Sequence, residues 1–399
     1  MKRKDGEYML KKKTLVCVLC GIFILSSVSI PAFALETSQL SDSTIESGTT
    51  IEDNKVISTE VINLAKKWLI ANYKEFYDIR NVEGHITKVV STSQTSRYTV
   101  SLGCQTMYKY SSVEEIPFVQ GLMSVGNQKI LNQNEQNALN AQIESIALDA
   151  AFGEYTDLFV DVVIEIDNTD SSVPWKMYYQ DGMDTTLHEI DVLHLDSQEL
   201  YNSGVQCGEL LLASVSGEAE IESVSEPRGY ASYDRFAARN YARTYSSNAE
   251  GCNKCASGSC NILQDTSKWN TTEYPYFSVF LHNDCADFVS QAMSVGGIPE
   301  KSGWYRDKGG ASGTWTQSWT VVPKLKTYMT REDHVYWDES TFALCNAGNI
   351  LITNSGGHIV MVDFNDGTTH KLTGHTNDRK SYAFGNVSSY EYYVINRSS

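Results

Sequence analysis

Residues 284–299 constrain the chain more tightly than any other stretch. Cys285, Val289, Ala292, Met293 and Gly296 recur on one helical stripe, Asp284 stands at the N-cap position, and Gly297 followed by Pro299 ends the run. Cys285 is therefore expected at the first turn of a buried helix. There the helix dipole and the unpaired N–H groups favour a thiolate, the form that attacks, and the same N–H groups suit the oxyanion of a tetrahedral intermediate. The plainer reading is a buried core cysteine. Asp284 works against a low thiol pKa, because an adjacent carboxylate disfavours a second negative charge. A base must then come from elsewhere in the chain.

Residues 349–363 supply a candidate: a strand, the break Gly356-Gly357, and a second strand that begins with His358. Asp366-Gly367 follows, a strong short hairpin signal, with 370–376 as the return strand. A two-residue loop pairs Asn365 with Thr368 and, by continuation, sets His358 opposite His375. The expected constellation is Cys285 as nucleophile, His358 as the base that takes and returns the proton, and His375 as the group that orients His358. Asn377 is the alternative orienter, diagonal on the same face. Two ordinary surface histidines at a hairpin base are the bland alternative.

Charge divides the chain. The 399 residues carry a formal net charge of −17, yet residues 228–399 hold equal numbers of Lys/Arg and Asp/Glu, so the acidity lies in the first half. No basic face is available for nucleic acid. Residues 1–34 read as a signal peptide: a Lys11-Lys12-Lys13 cluster, an apolar run, then Ala32-Phe33-Ala34. No stable membrane association is expected once it is cleaved. Residues 35–57 read as a flexible leader, 58–213 as an acidic α+β domain of unassigned role, 214–228 as a linker and 229–399 as a second domain. Within the first domain, Val61, Leu64, Ala65, Trp68 and Leu69 mark an amphipathic helix. Strands are expected at 85–90, 98–110, 158–166, 175–179 and 187–193, with a helix over 135–151. His188 and His194 fit an ordinary surface or core role better than metal binding.

Seven of the nine cysteines lie beyond the signal peptide. An odd number outside the cell points to one free thiol, with up to three disulfides among the rest. Cys252, Cys255 and Cys260 are favoured as a disulfide-stapled loop, with Cys345 a possible partner; zinc, with His282 as fourth ligand, is the alternative. No cofactor or metal is otherwise expected.

With these residues in place, the stretch from Tyr233 to Arg397 resembles the bacterial putative amidase domain family, related to the papain-like CHAP and NlpC-type cell-wall cysteine hydrolases. The resemblance rests on a Tyr-rich opening helix, on Asp284-Cys285 through Gln291 with Gly296-Gly297, and on Ser318-Trp319. It rests also on Gly357-His358 and on His375-Thr376-Asn377-Asp378-Arg379. It implies a papain-like cysteine hydrolase domain, with N-terminal helices and a cysteine helix packed on an antiparallel sheet, preceded by a separate α+β domain. It also implies amide hydrolysis on peptidoglycan or its stem peptides, by an enzyme secreted and associated with the cell wall. A catalytically silent wall- or surface-binding protein on the same fold is the rival. Asp287, where similar sequences usually have Asn, is expected to face away from the Cys285 stripe with little effect. Trp304, Tyr305, Trp315 and Trp319 are candidates to line a substrate groove, although core packing is favoured for Trp319, while Trp304 and Trp315 read as loop residues.

Overall fold

The computed structural model describes residues 51–169, 175–180, 186–218, 233–255, 260, 262–274, 282–307, 315–331, 334–353, 356–388 and 390–395. The expected signal peptide lies outside them, as do residues 35–50 of the leader. By contacts the chain divides into Met1–Asp53 and Asn54–Ser399; the second unit carries the fold.

Its first half opens with helix α1 (Ile51–Tyr73), so the end of the expected leader is already helical. Val61, Ala65 and Leu69 line the buried side of α1, as their spacing predicts. A long hairpin follows, β1 (Tyr77–Ser91) and β2 (Thr95–Tyr108), and then α2 (Pro117–Gln128). Helix α3 (Gln133–Ala150) starts with a capping box in which Asn132 and Glu135 satisfy each other's backbone N–H. Strands β3 (Thr156–Asp167), β4 (Lys176–Gln180) and β5 (Leu187–Glu189) continue the sheet, and residues 190–193, expected as strand, form a 3-10 turn. Helix α4 (Ser197–Glu218) runs on into the expected linker, whose remaining residues lie outside the described set.

The second half begins with α5 (Arg235–Thr244), capped by Asp234, whose carboxylate accepts the N–H groups of Phe236 and Ala237. Helix α6 (Cys285–Val295) has the expected bounds. It stops in a left-handed turn, with Gly297 at φ +100° and the Ile298 N–H returning to the Met293 carbonyl. Short helices α7 (Gln317–Thr320) and α8 (Val322–Met329) precede a two-stranded ribbon of β6 (Thr330–Arg331) and β7 (His334–Val335). Strands β8 (Trp337–Ser340), β9 (Ile350–Thr353), β10 (Ile359–Asn365), β11 (His370–Gly374), β12 (Arg379–Phe384) and β13 (Tyr390–Ile395) complete the chain.

One mixed sheet of eleven strands runs through both halves, in the order β1-β2-β3-β12-β11-β10-β9-β13-β8, with β4 and β5 branching from β3. The fold is thus mixed α+β. All its pairings are antiparallel except β3 with β12, which join in parallel at Phe159 and Tyr382. Burial explains the composition of the centre. Strand β10 is covered on both faces: Ile359 and Met361 face the α6 core, while Val360 and Val362 face a second core reached by Phe159 and Val192 of the first half. Phe288 of α6 and, in the same core, Trp304 and Trp319 are fully buried, each side chain contributing about 1.5–3 kcal/mol. Trp319 thus takes the core role favoured for it, and Trp304 is a core residue rather than a loop residue or groove wall.

Polar ties also cross between the halves. The Tyr77 hydroxyl donates to Asp366 at 2.8 Å, Arg239 pairs with Asp149 at 2.7 Å, and Lys371 reaches the Asp157 carbonyl at 2.8 Å.

Candidate active site

Cys285 starts α6 and is buried, with the residue 6% exposed. Burial pushes the thiol up to about 11, and Asp284 adds to the rise; the N–H groups of Ile359 and Ala286 and the Thr376 hydroxyl act the other way by hydrogen bonding. Desolvation wins, so the resting group is a thiol rather than the thiolate expected from the helix dipole. The first-turn N–H groups are also committed differently. Those of Asp284 and Cys285 donate to the Thr376 hydroxyl at 2.9 and 3.1 Å, which caps the helix from another segment. An oxyanion hole built on the Cys285 N–H is therefore not preformed. Asp284 occupies the N-cap position but makes no capping bond. Thr376 holds this pose at φ +80°, a costly backbone region for a β-branched residue.

His358 is buried directly before β10, with its backbone N–H donating to the Thr353 hydroxyl at 3.2 Å. Ile359, the next residue, shares a buried cluster with Cys285, and its backbone N–H is among the groups that lower the Cys285 thiol. The hairpin register differs from expectation. Met361 pairs with Thr373 and Asn365 with His370, with an irregularity between Val362 and Phe364. The connection thus holds four residues, not two. Asp366 explains it: its carboxylate accepts the Thr368 and Thr369 N–H groups at 3.0 and 2.8 Å, an Asx turn that closes the longer loop. Continued past Met361, this register sets His358 level with Thr376, not with His375.

His375 is bound elsewhere. Nδ1 lies 2.7 Å from Asp284, Nε2 lies 2.7 Å from the Tyr245 carbonyl, and the ring stacks between Trp269 and Phe288 at centroid distances of 4.4 and 3.8 Å. A carbonyl only accepts, so Nε2 carries the proton; a neutral ring then accepts at Nδ1 from a protonated Asp284. Both shifts agree with that assignment. Burial pushes Asp284 up to about 8 and lowers His375. Both ring nitrogens being engaged, His375 positions Asp284 and does not orient His358. Asn377 accepts the Leu263 N–H at 3.2 Å, so it too serves another segment. Asp378 accepts from the Asp265 N–H and the Trp269 indole, and Arg379 pairs with Asp161 of β3.

Asp287 differs from expectation as well. It is buried beneath α6, accepts from the Trp319 indole at 2.7 Å and from Gln291 at 2.9 Å, and forms an ion pair with Arg306. Burial, with the neighbouring Asp284 carboxyl second, pushes it up to about 7. One signal for this was available: a carboxylate inside an otherwise apolar helix demands a partner. Nothing local pointed to Thr376 or to the Ile359 N–H.

Residues 232–395 match a family model described as a putative amidase domain. Its description indicates amide hydrolysis. No curated protein and no solved structure matches the chain. The matched span contains all the site residues above and leaves the first half of the chain unassigned.

Cysteines inside and outside the matched span do not follow the disulfide expectation. All seven described cysteines are free. Cys104, Cys207 and Cys345 lie singly in cores, where burial pushes each thiol up to about 12. Cys285 is consequently not distinguished by an odd count. Cys252, Cys255 and Cys260, within the matched span, instead converge on His282. His188 packs near Tyr179, at a centroid distance of 6.0 Å. A cleft of about 540 Å³ between the first three strands and residues 248–250 contains neither Cys285 nor His358.

Proposed function

We propose that the amidase domain is a papain-like cysteine hydrolase, akin to the CHAP and NlpC-type enzymes, in which Cys285 attacks the substrate carbonyl with His358 as base. What supports this reading is that Cys285 at the head of α6 and Ile359, the residue after His358, pack in one buried cluster, with the Ile359 N–H among the groups that lower the thiol. The high thiol pKa favours a general-base route: His358 removes the proton as sulfur bonds to carbon, then returns it to the departing amine. Water adds to the resulting thioester, releasing the acid and restoring the thiol. Thr376, Asp284 and His375 position the helix start.

We further propose that the protein is exported and acts on peptidoglycan or its stem peptides. The basic-apolar-Ala-x-Ala pattern of residues 1–34 supports export, and the acidic first half offers nothing to nucleic acid. The test is mass spectrometry of purified sacculi incubated with the protein, with Cys285→Ala, and with His358→Ala. New peptide or amine termini, lost in both variants, are expected. Release undiminished in Cys285→Ala would refute the mechanism, and tight wall binding without release in reductant would identify a silent binding protein.

A further inference from the structure

We propose that Cys252, Cys255, Cys260 and His282 form a structural zinc site that anchors the segment leading into the Cys285 helix. The one ligand atom that each residue offers lies within 4.8 Å of the other three. Vertices of a tetrahedron with zinc–sulfur bonds near 2.3 Å stand roughly 3.8 Å apart, so the four need only small adjustments to close on one ion. Cys255 Sγ is already 3.1 Å from His282 Nε2.

The surroundings are organised as a metal site requires. His282 Nδ1 lies 2.9 Å from the side-chain oxygen of Gln264, itself wholly buried. That oxygen accepts the Nδ1 proton, which leaves the Nε2 lone pair toward Cys255, while Cys252 Sγ lies 3.7 Å from Nδ1; an outer acceptor of this kind fixes the tautomer of a ligating histidine. Gln264 is in turn held by backbone bonds to Gly251 and Asn253 on either side of Cys252. The Lys254 N–H points at Cys252 Sγ at 3.4 Å, a donor suited to a thiolate. Spacing agrees as well, since Cys252-Asn-Lys-Cys255 is the C-x2-C form common in zinc sites. A disulfide would use two of the three sulfurs and leave the third, with the imidazole, at the same point without a function.

Three thiolates and an imidazole favour zinc over harder ions, and four protein ligands leave no open position, so the role is structural. Its consequence for the amidase domain is positional. His282 sits at φ +83°, a strained backbone, only three residues before Cys285. A ligand bond at His282 would hold that strain and tie the start of α6 to the 252–265 loop, which Asn377 and Asp378 clamp from the other side.

The test is metal analysis of the full-length protein purified under reductant from zinc-supplemented cultures, followed by cobalt substitution. About one zinc per chain is expected, with tetrahedral cobalt bands and thiolate-to-cobalt charge transfer. Peptide-resolved alkylation should find Cys252, Cys255 and Cys260 protected until a chelator is added. Cys255→Ser and Gln264→Leu should each weaken metal binding, the second by roughly 10–100-fold. Cys285→Ala should bind metal normally, so the result is independent of the proposed hydrolysis. A disulfide between two of the three cysteines in the isolated protein, with no metal retained after reduction and zinc incubation, would overturn the proposal. Unchanged zinc binding in a Cys252→Ser/Cys255→Ser double variant would do so equally, and wild-type stoichiometry decides even if a variant fails to fold.

Discussion

The state of the Cys285 thiol is the sharpest point on which the proposed chemistry can be tried. Burial raises it from 9.0 to about 11, a displacement of two units, which corresponds to about 2.7 kcal/mol against the thiolate. At pH 8 the thiolate population is then roughly a hundredfold below that of an ordinary cysteine. Each thiolate is more nucleophilic for its higher basicity, by roughly six- to tenfold over two units, so alkylation should run roughly tenfold slower than at an unperturbed thiol. The assay is iodoacetamide labelling read peptide by peptide, which separates Cys285 from Cys252, Cys255 and Cys260. The logarithm of the Cys285 rate should climb with unit slope to about pH 10. His358→Ala should leave that profile nearly unchanged while removing roughly 10²–10⁴-fold of any turnover. A plateau between pH 5 and 7 that vanishes in His358→Ala would refute the reasoning, because it would mean a thiolate–imidazolium pair already formed at rest. The same shift has a stability consequence. The folded thiol keeps its proton where the unfolded one releases it, so the contribution is complete below pH 9 and is lost as pH rises through about 11.

Other changes test the supporting structure. Thr376→Val removes the hydroxyl that accepts two N–H groups at the head of α6; it should cost about 0.5–2 kcal/mol in urea unfolding, with Thr376→Ser close to wild type. Arg239→Ala leaves the fully buried Asp149 carboxylate without its ion pair and should cost about 3–5 kcal/mol by the same measurement. His375→Ala empties a slot between Trp269 and Phe288, for a loss of about 3 kcal/mol, whereas Asn377→Ala should cost far less. If His375→Ala instead keeps full stability and loses only turnover, its assignment as a positioning residue is wrong. Residues 229–399 expressed alone should fail to give a cooperative unfolding transition, since they would expose the β12 edge and the buried 363–375 hairpin.

Sequence alone determined the parts that depend on neighbouring residues. The α6 stripe, its stop at Gly297, the β10 strand beginning after His358 and the α3 helix all follow from periodicity and end signals, and they appear in the structure close to their expected bounds. The places of Cys285 at the start of α6 and of His358 just before β10 are legible for the same reason, as local features. Tertiary structure decided what each polar group does once its competitors are present. Asp366 took an Asx turn buried against the first half rather than the tight turn of an exposed Asp-Gly, and the loop longer by two residues, less the one taken back between Val362 and Phe364, shifted the register at His358 by one position off His375. His375 then found Asp284 and Tyr245, and Thr376 took over the cap that Asp284 was expected to provide. Three cysteines met a histidine 22 residues beyond the last of them in place of forming disulfides. Hydrogen-bond and ligand partners are chosen among groups distant in the chain, by burial and by which donors remain unsatisfied, and no local window contains that choice.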